Sequence, residues 1–290
     1  MIISKTIGIV GNGFVGSAVR YGFSPNVGVD AEVKVYDKDP NKSTHSLRDV
    51  VDSDIIFLSV PTPSNSDGSM NVDIVDSVLN DISQYADLFE VGTILLRSTV
   101  TPGTTRKLQD KYPNLRIVFN PEFLTERSAN FDFINQSRFI LGGEGHEFDG
   151  VQDTADLFRE RFGHSLSIIE TNYETAEMIK YMTNTFFATK ISFLNDMKLL
   201  ADKCGVIWED AMEGFVRDGR IGHSHLNVPG HDGKYGFGGS CFPKDIQALI
   251  NFGESNGVDM SVLKGAWKTN LKVRPEKDWE NLKGRAVVDE

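Results

Sequence analysis

The chain has 290 residues and a net charge of −11; 40% of its residues are hydrophobic, 24% charged and 10% aromatic. That length can hold two domains with real cores, and the acidic balance argues against nucleic acid or an anionic membrane surface as partner. No apolar run reaches membrane-spanning length, and two cysteines, Cys204 and Cys241, give no disulfide framework, so a reducing cytoplasm is expected.

Residues 6–10 read as a short buried strand rather than a signal peptide. The strand runs straight into Gly11-Asn12-Gly13-Phe14-Val15-Gly16, and a helix follows over 17–22. GxGxxG between a strand and a helix is a dinucleotide-binding arrangement: the first glycine makes the turn, the second admits a pyrophosphate, and the third lets the helix pack on the strand. Gly11, Gly13 and Gly16, with Phe14 and Val15, are therefore the expected cofactor contacts. A second strand over 33–37 ends in Asp37, about 20 residues past the loop, where a carboxylate accepts from the adenosine ribose and repels a 2′-phosphate. The expected cofactor is NAD rather than NADP.

Strands over 54–60, 93–97 and 116–119 alternate with helices over 72–86 and 103–111. The alternation predicts an α/β fold, a Rossmann-type doubly wound parallel sheet over residues 1–170, with ligands beyond the carboxyl ends of the strands. Those ends carry Val60-Pro61-Thr62-Pro63, Ser98-Thr99-Val100-Thr101-Pro102-Gly103 and Asn120-Pro121-Glu122-Phe123-Leu124-Thr125-Glu126. By residue type alone, Glu122 and Glu126 read as one face of a solvated helical turn, because acids four apart share a face.

After a strand over 165–169 the character changes to a mainly helical domain, residues 171–290. Residues 173–203 contain neither Pro nor Gly and read as one long helix ended by Gly205. Lys180 and Asn184 project from one face of it. An ammonium and an amide aimed at developing negative charge make an oxyanion hole, and the spacing fits a solvated lysine and an exposed asparagine equally well. Met178, Met182, Phe186, Phe187, Ile191 and Leu194 suggest burial on more than one side. A second helix over 208–217 leads into Asp218-Gly219-Arg220-Ile221-Gly222. The stretch Gly236-Phe237-Gly238-Gly239-Ser240-Cys241-Phe242-Pro243-Lys244-Asp245 places three glycines in four residues, which lets the backbone come close to a ligand. Pro243 suits the first turn of a helix, so Cys241 stands just before a helix N-terminus, where orphan amides favour a thiolate. Lys244 adds positive charge nearby and Asp245 a carboxylate one turn from the sulfur. The residues leave two readings open: an activated nucleophile, or a small apolar cysteine before an ordinary cap. His223, His225 and His231 with Cys241 fit no familiar zinc spacing, and no metal is expected. Cys204 reads as inert core, and Trp267 and Trp279 as packing.

This ten-residue stretch resembles the nucleophile motif of the UDP-glucose/GDP-mannose dehydrogenase family. The three strand-end motifs resemble that family's at matching places in the order, as do Ala129-Asn130-Phe131-Asp132 and Ser137-Arg138-Phe139-Ile140-Leu141-Gly142-Gly143; Arg127 stands where a glycine is usual. The resemblance implies an NAD-dependent four-electron oxidation of a nucleotide sugar, UDP-glucose to UDP-glucuronate, through a thiohemiacetal and thioester on Cys241. It implies that Pro61, Thr62 and Thr99 meet the cofactor, with Thr99 also positioning a water. Glu122, Phe123 and Leu124 would flank the substrate, Glu126 would act as acid–base, Lys180 and Asn184 would bond the oxyanion, and Asp245 would orient water. Arg220, Phe237 and Gly238 would reach the sugar. The partners implied are a UDP-sugar and a second copy of the chain, joined through the long helix. Family members usually continue into a third, nucleotide-binding domain, whose opening Leu282-Lys283-Gly284-Arg285-Ala286-Val287-Val288 resembles. The alternatives are a two-electron hydroxyacid or sugar-acid dehydrogenase and a non-catalytic NAD- or nucleotide-sugar-binding relative. The Ser-Cys-Phe-Pro-Lys-Asp form favours UDP-glucose.

Overall fold

Of the first four strands, β1 (Ile7–Val10), β2 (Val33–Tyr36), β3 (Ile55–Leu58) and β4 (Thr93–Leu96), three are buried at every residue: β1, β3 and β4. Continuous burial without alternation is what a parallel sheet covered on both faces requires. The computed structural model describes residues 1–86, 88–145 and 149–289. A first unit comprises residues 1–62 and 72–180, and a second comprises residues 63–71 and 181–290.

In the first unit β5 (Ile117–Phe119), β6 (Arg138–Gly143) and β7 (Ser167–Asn172) complete a seven-stranded sheet of order β2-β1-β3-β4-β5-β6-β7. Every neighbouring pair is parallel except β5 and β6, which meet antiparallel with Phe119 opposite Gly142. This reversal is the one departure from the uniformly parallel sheet that the alternation suggested. Between β1 and β3 the order changes direction, which makes the carboxyl ends of these two strands the crevice where ligands gather in such sheets.

The helices of this unit are α1 (Phe14–Gly22), α2 (Leu47–Val51), α3 (Asp73–Ser83), α4 (Thr104–Lys111), α5 (Ala129–Ile134) and α6 (Val151–Phe162). One core cluster holds Phe23, Phe57, Phe133, Phe139 and Phe158, with Phe139 stacked on Phe158 at 3.9 Å between centroids. The other holds Val50, Leu79, Leu108 and Tyr173. Each such side chain, fully buried, contributes about 1.5–3 kcal/mol.

The long helix α7 (Tyr173–Cys204) begins in the first unit, where Tyr173 and Ala176 pack into the second of these clusters, and continues into the second unit after Lys180. Its residue Glu177 is wholly buried and caps α4 from outside. Its carboxylate accepts from Gly103 N at 2.6 Å, Thr105 N at 2.7 Å and Thr105 Oγ1 at 2.6 Å. Burial outweighs these three donors and pushes the carboxyl up to about 7. Between pH 4.5 and 7 the folded chain therefore holds a proton that the unfolded chain has lost, so stability falls as pH rises through that window, by on the order of 3 kcal/mol. Urea unfolding at pH 5 and pH 8 should show this fall, and Glu177→Gln should flatten it; an equal slope in the variant assigns the fall to other groups.

The second unit adds α8 (Trp208–Val216), α9 (Phe242–Ser255) and α10 (Ser261–Val273). Its cores are small, one around Ala188, Phe237, Ile246 and Ala266 and one around Tyr181, Ala248 and Leu249. Of the apolar residues that suggested burial on several sides of α7, Leu194 is buried, whereas Met182 and Phe186 are 61% and 63% exposed. Phe193, Met197 and Leu200 are exposed as well, and α8 has no buried residue. Cys204, expected in the core, is exposed instead: it is the last residue of α7, beyond the packed length of the helix.

Candidate active site

In the first unit the site starts from the turn after β1. A Cβ on Gly11 would lie 2.3 Å from Ser59 O, and one on Gly16 would lie 2.0 Å from Gly11 O, so both positions exclude any side chain. At Gly13 a Cβ would meet nothing within 4 Å, and Gly13 caps α1 without a side-chain hydrogen bond. Open space in front of first-turn amides is the cradle a pyrophosphate requires. Asp37 follows β2 and accepts from Asn12 N at 2.7 Å, which fixes the acid beside the glycine turn. Asn12 Oδ1 is buried with no hydrogen-bond partner, an acceptor that a ribose hydroxyl would satisfy. These residues fit a dinucleotide, and the carboxylate of Asp37 disfavours a 2′-phosphate.

The strand ends are tied to one another. Val60 N donates to Ser98 Oγ at 3.1 Å, Ser98 Oγ donates to Val60 O at 2.7 Å, and Thr62 Oγ1 donates to Thr99 O at 2.8 Å. Pro61 is exposed, while Thr62 and Thr99 are buried.

Glu122 departs from the solvated helical turn that its spacing from Glu126 suggested. The segment 120–125 is not helical, and Glu122 is 6% exposed. Its Oε1 pairs with Lys180 Nζ at 2.9 Å, its Oε2 accepts from Leu124 N at 2.7 Å, and Lys180 also donates to its backbone carbonyl. Burial pushes this carboxyl up, but the Lys180 ammonium, the Leu124 amide and Arg97 together outweigh it and hold Glu122 below the usual carboxylate range. Phe123 lies between two cations, with Arg138 4.5 Å and Lys180 5.3 Å from its ring centroid. Leu124 is half-buried and Glu126 is exposed at the start of a short turn, Glu126–Ser128.

Three residues of this half were not singled out from the sequence. Arg97 is buried, donates to Asn120 Oδ1, and faces the rings of Phe57 and Phe133 at 5.8 Å each; desolvation pushes it down to about 10. Asn120 passes the contact on by donating to Ile140 O at 2.9 Å. Glu177 is the third. A charged residue closing the otherwise apolar run of β4 was the available signal for Arg97; nothing local marked the other two.

In the second unit Cys241 is the N-cap of α9 and half-buried, with Ser240 Oγ 3.8 Å from its sulfur. Pro243 lies in the first turn. Asp245, one turn on, is buried; its Oδ2 accepts from Asn184 Nδ2 at 2.6 Å and its Oδ1 pairs with Lys244 Nζ at 2.5 Å. The Lys244 charge is thus matched by its neighbour rather than left for the sulfur. Phe237 is 4% exposed and packs against Phe242 and Trp267, so its side chain is taken up by the core. Trp279 is buried against Trp267 at 5.2 Å. Arg220 is exposed and forks onto its neighbour Asp218, and Lys190 holds that loop by donating to Ile221 O, Gly222 O and Ser224 O. The structure thus groups Glu122 with Lys180 and Asn184 with Asp245, and leaves Arg220 in a solvent-facing turn.

Residues 34–160 match the UDP-glucose/GDP-mannose dehydrogenase family, NAD binding domain, and residues 174–272 match the central domain of that family. The UDP-glucose 6-dehydrogenase of Rickettsia typhi is 36% identical over 226 residues, 77% of this chain and 50% of the relative. UDP-glucose 6-dehydrogenase TuaD of Bacillus subtilis is 35% identical over 230 residues, 77% of this chain and 47% of the relative. A solved UDP-glucose dehydrogenase from Pyrobaculum islandicum superposes with a TM-score of 0.81 at 28% identity, over 96% of this chain and 70% of that one. The chain spans about half the length of the Rickettsia and Bacillus relatives. With an NAD binding domain and a central domain matched in that order, the chain belongs to the UDP-glucose/GDP-mannose dehydrogenase family.

Proposed function

We propose that the chain carries the NAD-dependent four-electron oxidation of the primary alcohol of a UDP-sugar, UDP-glucose to UDP-glucuronate. The observation that supports it most is the Cys241 sulfur at the head of α9, with the buried Asp245–Asn184 pair one turn away. A two-electron dehydrogenase has no use for that sulfur.

When bound, NAD accepts the hydride released at each of the two oxidations. Gly11, Gly13, Phe14, Val15 and Gly16 hold its pyrophosphate, Asp37 its ribose, and Pro61, Thr62 and Thr99 border it. The first oxidation turns the alcohol into an aldehyde. The Cys241 thiolate adds to the aldehyde carbon, forming a C–S bond and an oxyanion; Lys180 and Asn184 are the donors for that oxyanion. Loss of the second hydride leaves a thioester. Water, oriented by Asp245 and deprotonated by Glu126, adds to the thioester carbon, the C–S bond breaks, and carboxylate and thiol are released. Glu122, Phe123, Leu124, Arg220 and Gly238 serve the sugar, and Glu122 also holds Lys180 in place.

The test is the yield of NADH per sugar over a panel of UDP- and GDP-sugars. Two NADH per UDP-glucose is expected. One NADH with aldehyde or ketone as product, or none with any sugar, overturns the reading.

We further propose that the apolar row Met182, Phe186, Phe193, Met197 and Leu200 is covered by a second copy of the chain. Sedimentation at micromolar concentration should give a dimer; a monomer would refute this.

A further inference from the structure

Two of the three glycines before Cys241, Gly236 and Gly238, lie against side chains of this chain. A Cβ on Gly236 would lie 2.4 Å from Asn270 Oδ1, and one on Gly238 would lie 2.6 Å from Arg274 Nη2 and from both carboxylate oxygens of Asp278. Asn270, on α10, and Arg274, the C-cap one turn further on, are 0% and 3% exposed. Asn270 gives its whole amide to one residue of the loop: Oδ1 accepts from Phe237 N at 2.7 Å, and Nδ2 donates to Phe237 O at 3.0 Å. Asn195 of α7 accepts from Gly236 N at 2.9 Å. Arg274 reaches Tyr235 O at 3.4 Å with Nη1, Asp232 Oδ2 at 2.6 Å with Nη2, and Asp278 Oδ1 at 2.6 Å with Nε. Asp278 in turn accepts from Gly239 N.

Residues 235–239 are thus gripped at nearly every peptide group. A loop so rich in glycine loses more conformational entropy on ordering than any other kind, and buried amides left without these partners would each cost free energy. The grip ends two residues before Cys241. We propose that Asn270 and Arg274 are positioning residues for Cys241: they hold the glycine loop in the one conformation that sets this residue at the N-terminus of α9. The catalytic meaning of this rests on the reaction proposed above; the grip itself does not.

The experiment uses the full chain carrying Cys204→Ser, because Cys204 is exposed and would consume reagent. The rate of Cys241 alkylation by iodoacetamide is followed from pH 6 to 10 by peptide mass, with no sugar or cofactor present, beside the thermal unfolding midpoint. In folded Asn270→Ala the midpoint of the alkylation profile moves up by about one pH unit, so the rate at pH 7 falls about tenfold while the rate at high pH is kept or raised. Arg274→Lys, which keeps the charge but not the fork, gives a smaller shift in the same direction. A lower unfolding midpoint with an unchanged alkylation profile overturns the proposal, since ordinary packing would do that much. Should Asn270→Ala fail to fold, Asn195→Ala, which frees Gly236 N, decides by the same criterion. A shifted profile in a protein that forms no NADH with any of the UDP- or GDP-sugars leaves the grip standing and removes the proposed reaction.

Discussion

On the reaction proposed above, exchanging Cys241 for serine is expected to lower uronate formation from UDP-glucose by about 10³-fold or more. The amides at the head of α9 can favour a thiolate, whose ordinary pKa is about 8.5, but cannot ionise a hydroxyl near neutral pH. Without a C–S bond the aldehyde is not held for a second oxidation, so NADH yield falls from two per sugar towards one and aldehyde becomes detectable by hydrazine trapping. Cofactor affinity should stay within about twofold, because the glycine turn and Asp37 belong to the first unit and Cys241 to the second. A serine variant that still gives two NADH per sugar at the parent rate would remove the thioester from the mechanism.

Replacing Lys180 with methionine is expected to destabilise the fold by about 3–5 kcal/mol at pH 8. Methionine fills much of the same volume, so the loss is electrostatic. Glu122 keeps the Leu124 amide and the nearby Arg97 but loses the contact that offsets its burial. In the parent chain Glu122 has its folded-state value depressed, so its stabilisation is present above the unfolded carboxylate range and is lost as pH falls through the folded value. In the variant the carboxyl takes up a proton at higher pH, and the destabilisation at pH 5 should be visibly smaller than at pH 8. Adding Glu122→Gln should recover part of the loss, as residues in direct contact are coupled. Equal destabilisation at both pH values, or no recovery in the double variant, would show that the pair is not what the substitution disturbs. On the reaction proposed above, the loss of Lys180 as an oxyanion donor adds a fall of about 10²–10³-fold in turnover.

What could be read from the sequence was what is encoded locally. Gly11, Gly13 and Gly16 act within six residues of chain, between a strand and a helix that carry their own signals, and Asp37 lies one strand further on. The long helix declared itself by the absence of Pro and Gly over residues 173–203. Glu122 could not be read in this way. Its spacing from Glu126 mimics a helical face, while its burial is set by Lys180, far along the chain. The glycine stretch also has a cause that composition does not show. Closeness to a ligand was a fair inference from composition, yet the side chains that forbid a Cβ at Gly236 and Gly238 come from α10 and the turn after it. Arg97, Asn120 and Glu177 escaped for a common reason: each is defined by a hydrogen bond to another strand or helix, and no short-range pattern reports such a partner. Cys204 shows the converse, an apolar residue type at a helix end where nothing is left to cover it.

The near-contact between Gly238 and the Arg274–Asp278 pair ties two distant stretches of sequence into one unit of inheritance. A relative that bears alanine or serine at the first position can be accommodated only if bulk has been given up at one of the other two. Among homologues these three columns should therefore change in concert, and a signature written across the thiol-bearing segment alone records half of a constraint whose other half is spelled just after α10.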